Sequence, residues 1–123
     1  MITGVRDVYY NVSDLNRSEV FYSEMFGMKK TFGHDHWVEL ALGEFRLGLH
    51  WTEGEKVPGS PRDSHGAHTG ATVTFKSDNV KDDRQRLEKA GAKILGETDQ
   101  PWGHMLVFED LDGNVLKLMN PKR

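Results

Sequence analysis

The feature of this sequence that most constrains its fold is an internal repeat. A strand-like run is followed by a helix N-cap at Asp14, an amphipathic helix and a helix-terminating glycine at Gly27. The same order recurs with a cap at Asp78 or Asn79 and a terminating glycine at Gly91. Asn79 follows Asp14 by 65 residues, and Gly91 follows Gly27 by 64 residues. A recurring order of elements at one offset predicts a duplicated structural unit.

Eight runs rich in apolar, β-branched and aromatic residues predict the strands of this unit. In each half, one run precedes the helix and three runs follow it. The predicted strands are 7–12, 28–32, 37–42, 45–51, 71–75, 92–95, 105–108 and 115–119. The sequence therefore predicts an α+β fold of two βαβββ modules.

A polar segment separates the two modules. Residues 52–69 are rich in glycine, proline, serine and charged residues, which favours turns and loops. We therefore place module one at about residues 5–51 and module two at about residues 70–120. The length of 123 residues fits one domain that contains both modules.

Composition excludes several classes of function. The net charge of -3, with both signs interspersed, gives no basic surface for DNA or RNA. Apolar runs are too short for a membrane span, and the first residues lack the apolar stretch of a signal peptide. With no cysteine, the chain has no disulfide, zinc-thiolate site or thiol nucleophile. We expect a cytoplasmic protein.

Four short motifs carry a resemblance to a known family. Residues 110–114, Asp-Leu-Asp-Gly-Asn between two apolar runs, predict a tight β-hairpin. Together with residues 12–14, 21–27 and 101–103, in this order and spacing, the hairpin resembles the vicinal oxygen chelate superfamily. That superfamily includes glyoxalases, bleomycin-resistance proteins, fosfomycin-resistance enzymes and extradiol dioxygenases. The resemblance covers nearly the whole chain, although Leu111 stands where many relatives have proline.

The resemblance implies a glyoxalase-like fold in which eight strands form a cupped mixed sheet, with flanking helices and a small molecule bound inside the cup. It also implies four metal-ligand positions, in the first and last strands of each module. In this sequence those positions are Asp7, Gly48, Thr72 and Lys117. The position of Gly48 depends on the alignment, since a slip would bring Leu49 or His50 there.

The chemistry of these four residues does not suit a divalent metal. Asp7 offers a carboxylate, but Thr72 offers only a neutral hydroxyl and Gly48 has no side chain. Lys117 carries an ammonium group, which has donors only. The sequence therefore predicts no metal ligands and no cofactor. The resemblance further implies that Asp7 and Lys117 project into the cup, where we expect them to face each other because buried charges need partners.

Side chains on the predicted strands provide the other candidate site residues. Acid–base candidates are Asp7, His50 and His104, because a histidine titrates near neutral pH. The remaining histidines, His34, His36, His65 and His68, are expected at the surface. Aromatic walls stack planar or apolar ligands. The expected ligand-binding residues are Asp7, Tyr9, Trp37, Trp51, Thr72 and Lys117.

Three functions remain open from the sequence. The first is a metal-free protein that binds a small organic molecule, as bleomycin-resistance proteins do. The second is a metal-dependent lyase, isomerase or dioxygenase with atypical ligands. The third is a metal-free enzyme that uses Asp7, His50 or His104, with Lys117 stabilising an anion. In each case the resemblance implies a homodimer, which is also the commonest oligomer.

Overall fold

The computed structural model describes residues 1–122 and contains two helices and eight strands in that range. Each half has the order strand, helix and three strands, which confirms the predicted α+β fold of two βαβββ modules. The elements are β1 Val8–Val12, α1 Leu15–Phe26, β2 Lys29–His34, β3 Trp37–Leu42, β4 Phe45–Trp51, β5 Val73–Lys76, α2 Val80–Lys89, β6 Lys93–Gln100, β7 Gly103–Glu109 and β8 Val115–Pro121.

The eight strands form two four-stranded mixed sheets, one in each module. Backbone contacts divide the chain into two compact units, one at Met1–Val57 and a second that begins at Pro58. This boundary lies inside the segment predicted as a linker, residues 52–69. No helix among the described residues is long and apolar enough to cross a membrane.

Sheet one has the strand order β1-β4-β3-β2, with β1 parallel to β4 and the other pairs antiparallel. Helix α1 begins where the Asp14 carboxylate accepts a hydrogen bond from the Arg17 backbone N–H at 3.0 Å, and it ends at Gly27, whose φ is 66°. Its aromatic side chains pack on one face of the sheet. The buried core of this unit contains Val12, Phe21, Tyr22, Val38, Leu40, Leu47 and Leu49.

Sheet two repeats this arrangement as β5-β8-β7-β6. Asn79 rather than Asp78 is the N-cap of α2, because its side chain accepts a hydrogen bond from the Asp82 backbone N–H. The helix covers one face of the sheet. The buried core of this unit contains Phe75, Val80, Leu87, Leu106, Phe108, Leu116 and Leu118. Both sheets therefore have one helix-covered apolar face and one helix-free face.

The β7–β8 hairpin has the tight turn that its sequence predicts. The buried Asp110 carboxylate accepts hydrogen bonds from the backbone N–H groups of Asp112 at 2.8 Å and Asn114 at 2.9 Å. Gly113 has a φ of 83°, which an L-residue rarely adopts. These contacts fix the register that places Lys117 opposite Val107.

Strands β3 and β4 have the predicted bounds, and the ends of the other strands differ from the sequence prediction by at most two residues, apart from the C-terminal end of β6. β1 begins at Val8, so Asp7 precedes the strand. β6 continues to Gln100 instead of ending at residue 95, and β5 begins at Val73, so Thr72 precedes the strand. β6 is the edge strand of its sheet and is largely exposed, so its extension, residues 96–100, can be polar. An apolar pattern detects a strand only where one face is buried, and it therefore misses such an extension.

Candidate functional site

The helix-free face of sheet one is organised around the close approach of Trp37 and Gly48. A Cβ atom at position 48 would lie 2.2 Å from Cη2 and 2.3 Å from Cζ2 of Trp37, and 3.0 Å from the Tyr9 Cβ atom. No real side chain tolerates such contacts without movement of the indole. Glycine at position 48 therefore allows the Trp37 ring to occupy the space above the strand.

Three rings surround this point and form what we call the aromatic platform, namely Tyr9, Trp37 and His50. The Tyr9 and Trp37 ring centroids are 5.5 Å apart with an interplanar angle of 59°. The His50 ring lies 6.2 Å from Tyr9 and 6.5 Å from Trp37. The register explains this grouping, since Tyr9 pairs with Gly48 and Trp37 pairs with His50. Tyr9 is 55% exposed and His50 is also exposed, so two rings of the platform are accessible.

His50 is oriented by Asn11, its cross-strand neighbour on β1. The His50 Nδ1 atom lies 3.0 Å from the Asn11 side-chain oxygen. In the neutral imidazole, donation from Nδ1 to this oxygen leaves Nε2 as a hydrogen-bond acceptor. Of the three sequence-derived acid–base candidates, His50 is the one that belongs to the aromatic platform.

Two carboxylates share one guanidinium at the end of the same face. Arg6 Nη1 lies 2.6 Å from Asp7 Oδ2 and 3.2 Å from Glu39 Oε1. Glu39 is 9% exposed, and its Oε2 accepts a hydrogen bond from the Thr31 hydroxyl at 2.9 Å. Sequence reasoning missed Glu39. The sequence did contain a signal, because Glu39 is an acidic residue in the otherwise apolar run 37–42. It follows Trp37 by two residues, which places both side chains on the same face of the strand.

Trp51 does not join the aromatic platform. Side chains alternate between the two faces of a strand, so Trp51 lies on the same face of β4 as the buried Leu47 and Leu49, which is the helix-covered face. Its indole N–H donates to the Ser13 carbonyl at 3.1 Å, and its ring lies 5.1 Å from the ring of His36. The structure therefore separates Trp51 from Tyr9 and Trp37, with which the sequence analysis had grouped it.

His104 lies in an ionic cluster on the helix-covered side of sheet two, since it alternates with the buried Leu106 and Phe108. Its Nε2 atom is 2.6 Å from Glu97, and the second oxygen of Glu97 is 2.6 Å from Arg84. Hydrogen bonds from Arg84 first, and then from His104, hold the pKa of Glu97 below its usual value. This contact pattern is that of a surface ion network that ties β6 to α2.

Lys117 lies on the helix-free face of sheet two, between Thr74 on β5 and Val107 on β7. It is half-buried, as is Thr72. Among the described residues of its own unit, the Lys117 ammonium makes no hydrogen bond or ion pair. Asp7 has Arg6 as a partner within unit one, and the pairing of Asp7 with Lys117 stays a prediction.

The four positions that the resemblance implies for metal ligands carry residues whose chemistry does not suit a divalent cation. In unit one, Asp7 is engaged by a guanidinium, and the space over Gly48 is filled by an indole. In unit two, Thr72 and Lys117 offer a hydroxyl and an ammonium, which are poor or repulsive towards a divalent cation. Within residues 1–122, no three His, Asp or Glu side chains are grouped in a way that could hold a metal ion.

Residues 4–118 match the model of the Glyoxalase/Bleomycin resistance protein/Dioxygenase superfamily. The match extends over most of the chain, and the chain belongs to this superfamily. No curated protein matches the chain at a significant level.

Solved structures share the fold at low sequence identity. The fosfomycin resistance protein FosX from Mesorhizobium loti is 21% identical, with a TM-score of 0.72 over 98% of this chain and 93% of that chain. FosX from Listeria monocytogenes, in complex with Mn(II) and sulfate, is 17% identical, with a TM-score of 0.75 over 98% and 92%. A lactoylglutathione lyase from Agrobacterium tumefaciens is 20% identical, with a TM-score of 0.68 over 98% and 96%.

We expect the substitution Gly48→Ala to lower the free energy of unfolding by about 1–3 kcal/mol, the usual cost of overpacking. The matched control is Gly96→Ala, since a Cβ atom there meets nothing within 4 Å and the change should cost less than about 1 kcal/mol. Denaturant unfolding of both variants provides the measurement. The Gly48→Ala loss should shrink in a Trp37→Leu background, and equal stability of Gly48→Ala and the parent would show that the indole does not hold this position.

Proposed function

We propose that this protein binds a small organic molecule on the aromatic platform of unit one, without a resident metal. The observation that carries the proposal is the Trp37 indole over Gly48, which replaces a potential ligand side chain by a ring. Members of the superfamily bind small molecules. An exposed tyrosine beside a tryptophan offers apolar area for stacking against a planar group.

The charges near the platform favour a cationic or neutral ligand over an anionic one. Asp7 and Glu39 contribute two carboxylates, and Arg6 contacts both. Arg46 lies on the same face of β4, but its guanidinium donates to the Gly43 carbonyl at the β3–β4 turn, at the other end of the strands from the Trp37–His50 pair. A cation above aromatic rings gains a further attraction from the ring quadrupole. His50 adds a hydrogen-bond acceptor at Nε2 when Asn11 holds the proton on Nδ1. We therefore propose a ligand with a planar ring and a positively charged or neutral polar group.

A matched set of naphthalene probes tests this site. We expect 2-naphthylmethylammonium to bind more tightly than 2-naphthol, and 2-naphthalenesulfonate to bind least. Tyr9→Ala should weaken binding of the cation about five- to tenfold, because stacking and cation–π contacts contribute roughly 1–1.5 kcal/mol. Titration calorimetry provides the measurement.

The control variant for this experiment is Trp102→Ala, which removes an aromatic side chain that is 49% exposed in unit two. It should bind the naphthalene cation as the parent does. An unchanged affinity in Tyr9→Ala, or equal affinity for the cation and the sulfonate, would contradict the proposed platform.

We also predict that the purified protein holds no stoichiometric divalent metal. Asp7, Gly48, Thr72 and Lys117 lack the set of imidazole and carboxylate ligands that such a site requires. Elemental analysis after purification in the presence of zinc, nickel or manganese provides the measurement. One tightly held ion per chain would contradict the prediction and would favour a metal-dependent lyase, isomerase or dioxygenase.

A homodimer is the oligomeric state that we propose. Two-fold pairing is the commonest assembly, and large apolar side chains of unit one such as Val20 and Phe32 are more than half exposed. Light scattering at micromolar concentration should give twice the chain mass of 14.0 kDa. A mass equal to that of one chain at this concentration would rule the dimer out.

A further inference from the structure

A cleft of about 530 Å³ lies entirely within unit two, between the segment 62–68 and strands β6 and β7. The segment is closed into a loop by a β-bridge between Arg62 and His68. The Asp63 carboxylate accepts hydrogen bonds from the backbone N–H groups of His65 at 2.8 Å and Ala67 at 3.0 Å, which holds the loop together. Clefts of 300–1,000 Å³ are typical of small-molecule sites.

One part of the cleft wall is apolar. Leu95 and Gly96 on β6 both line it, together with Val107 on β7. The register of β6 shifts between Ile94 and Gly96, and such a bulge lets consecutive residues line one side. A Cβ atom at Gly96 would meet nothing within 4 Å, so the cleft is open at this point.

The charged part of the wall is basic. Arg62, His68 and Lys93 line the cleft, and Glu109 is the acidic residue among its lining side chains. Arg62 and Glu109 neutralise each other in an ion pair of 2.6 Å. The Lys93 ammonium makes no ion pair or hydrogen bond among the described residues of this unit. Lys93 is therefore available to a bound anion, with His68 as a second basic group.

We propose that this cleft binds an organic monoanion with an apolar body, whose charged group contacts Lys93 while its hydrocarbon part packs on Leu95 and Val107. Charge and apolar wall lie on neighbouring parts of one cleft, which suits an amphipathic carboxylate. The site shares no residue with the aromatic platform and takes a ligand of the opposite charge. It therefore does not depend on the function proposed for unit one.

Octanoate is the probe for this site, and amide chemical-shift mapping is the measurement. We expect octanoate to shift the resonances of Gly66, Gly96 and Val107, and octylammonium to leave them unchanged. Lys93→Met should weaken octanoate binding about two- to fivefold, the range of an exposed ion pair. Gly96→Leu, which places a side chain in the open space, should abolish binding.

The control variant is Lys81→Met, which removes an exposed lysine of α2 that does not line the cleft and changes the net charge equally. It should bind octanoate as the parent does, and so should Tyr9→Ala. The proposal is overturned if octanoate shifts no residue of the cleft, if octylammonium produces the same shifts, or if Lys93→Met and Lys81→Met bind equally. Because Lys93 is exposed, its substitution should leave the fold intact.

Discussion

The contact of the Trp37 indole with the backbone of Gly48 determines what the helix-free face of sheet one can do. Trp37 and Gly48 lie on adjacent strands, and the ring covers a position where any side chain would clash. The ring in turn supports Tyr9 and lies near His50, so that three strands contribute to one apolar surface. A surface of rings offers stacking area to a flat molecule, whereas a carboxylate at position 48 would offer oxygen ligands to a metal ion.

Charge in unit one follows from this arrangement. Asp7 directly precedes β1, and the buried Glu39 lies on the helix-free face of β3. Two carboxylates so close together repel each other unless a cation lies between them. The Arg6 guanidinium supplies that cation from within the chain. The two carboxylates are therefore held together by a positive charge of the chain itself.

Local signals were sufficient to predict the order of the helices and strands, whereas the placement of individual site residues needed the register. The cap at Asp14, the cap at Asp78 or Asn79 and the hairpin turn at Asp110 act within a few residues of chain, so the sequence predicts them directly, and the structure decides for Asn79. Trp51 and His104 depend on which face of a strand each one occupies. Counting in steps of two from the buried leucines assigns both to helix-covered faces. The cleft could not be predicted, because it depends on how the polar segment 62–68 packs against β6 and on a bulge that the sequence does not indicate.

The two modules also show where a duplicated fold can diverge. The helix-covered positions at the centre of each sheet remain apolar in both copies. The register relates Val8, Val38, Leu40, Leu47 and Leu49 in sheet one to Val73, Leu106, Phe108, Leu116 and Leu118 in sheet two. The helix-free positions have changed in character: Tyr9, Trp37, Glu39, Gly48 and His50 correspond to Thr74, Met105, Val107, Lys117 and Met119. Burial under a helix tolerates only apolar side chains of similar volume, because a cavity or an unpaired polar group there is costly. The helix-free face is not under that constraint, so a fold shared at about 20% identity is compatible with ligands of different chemistry.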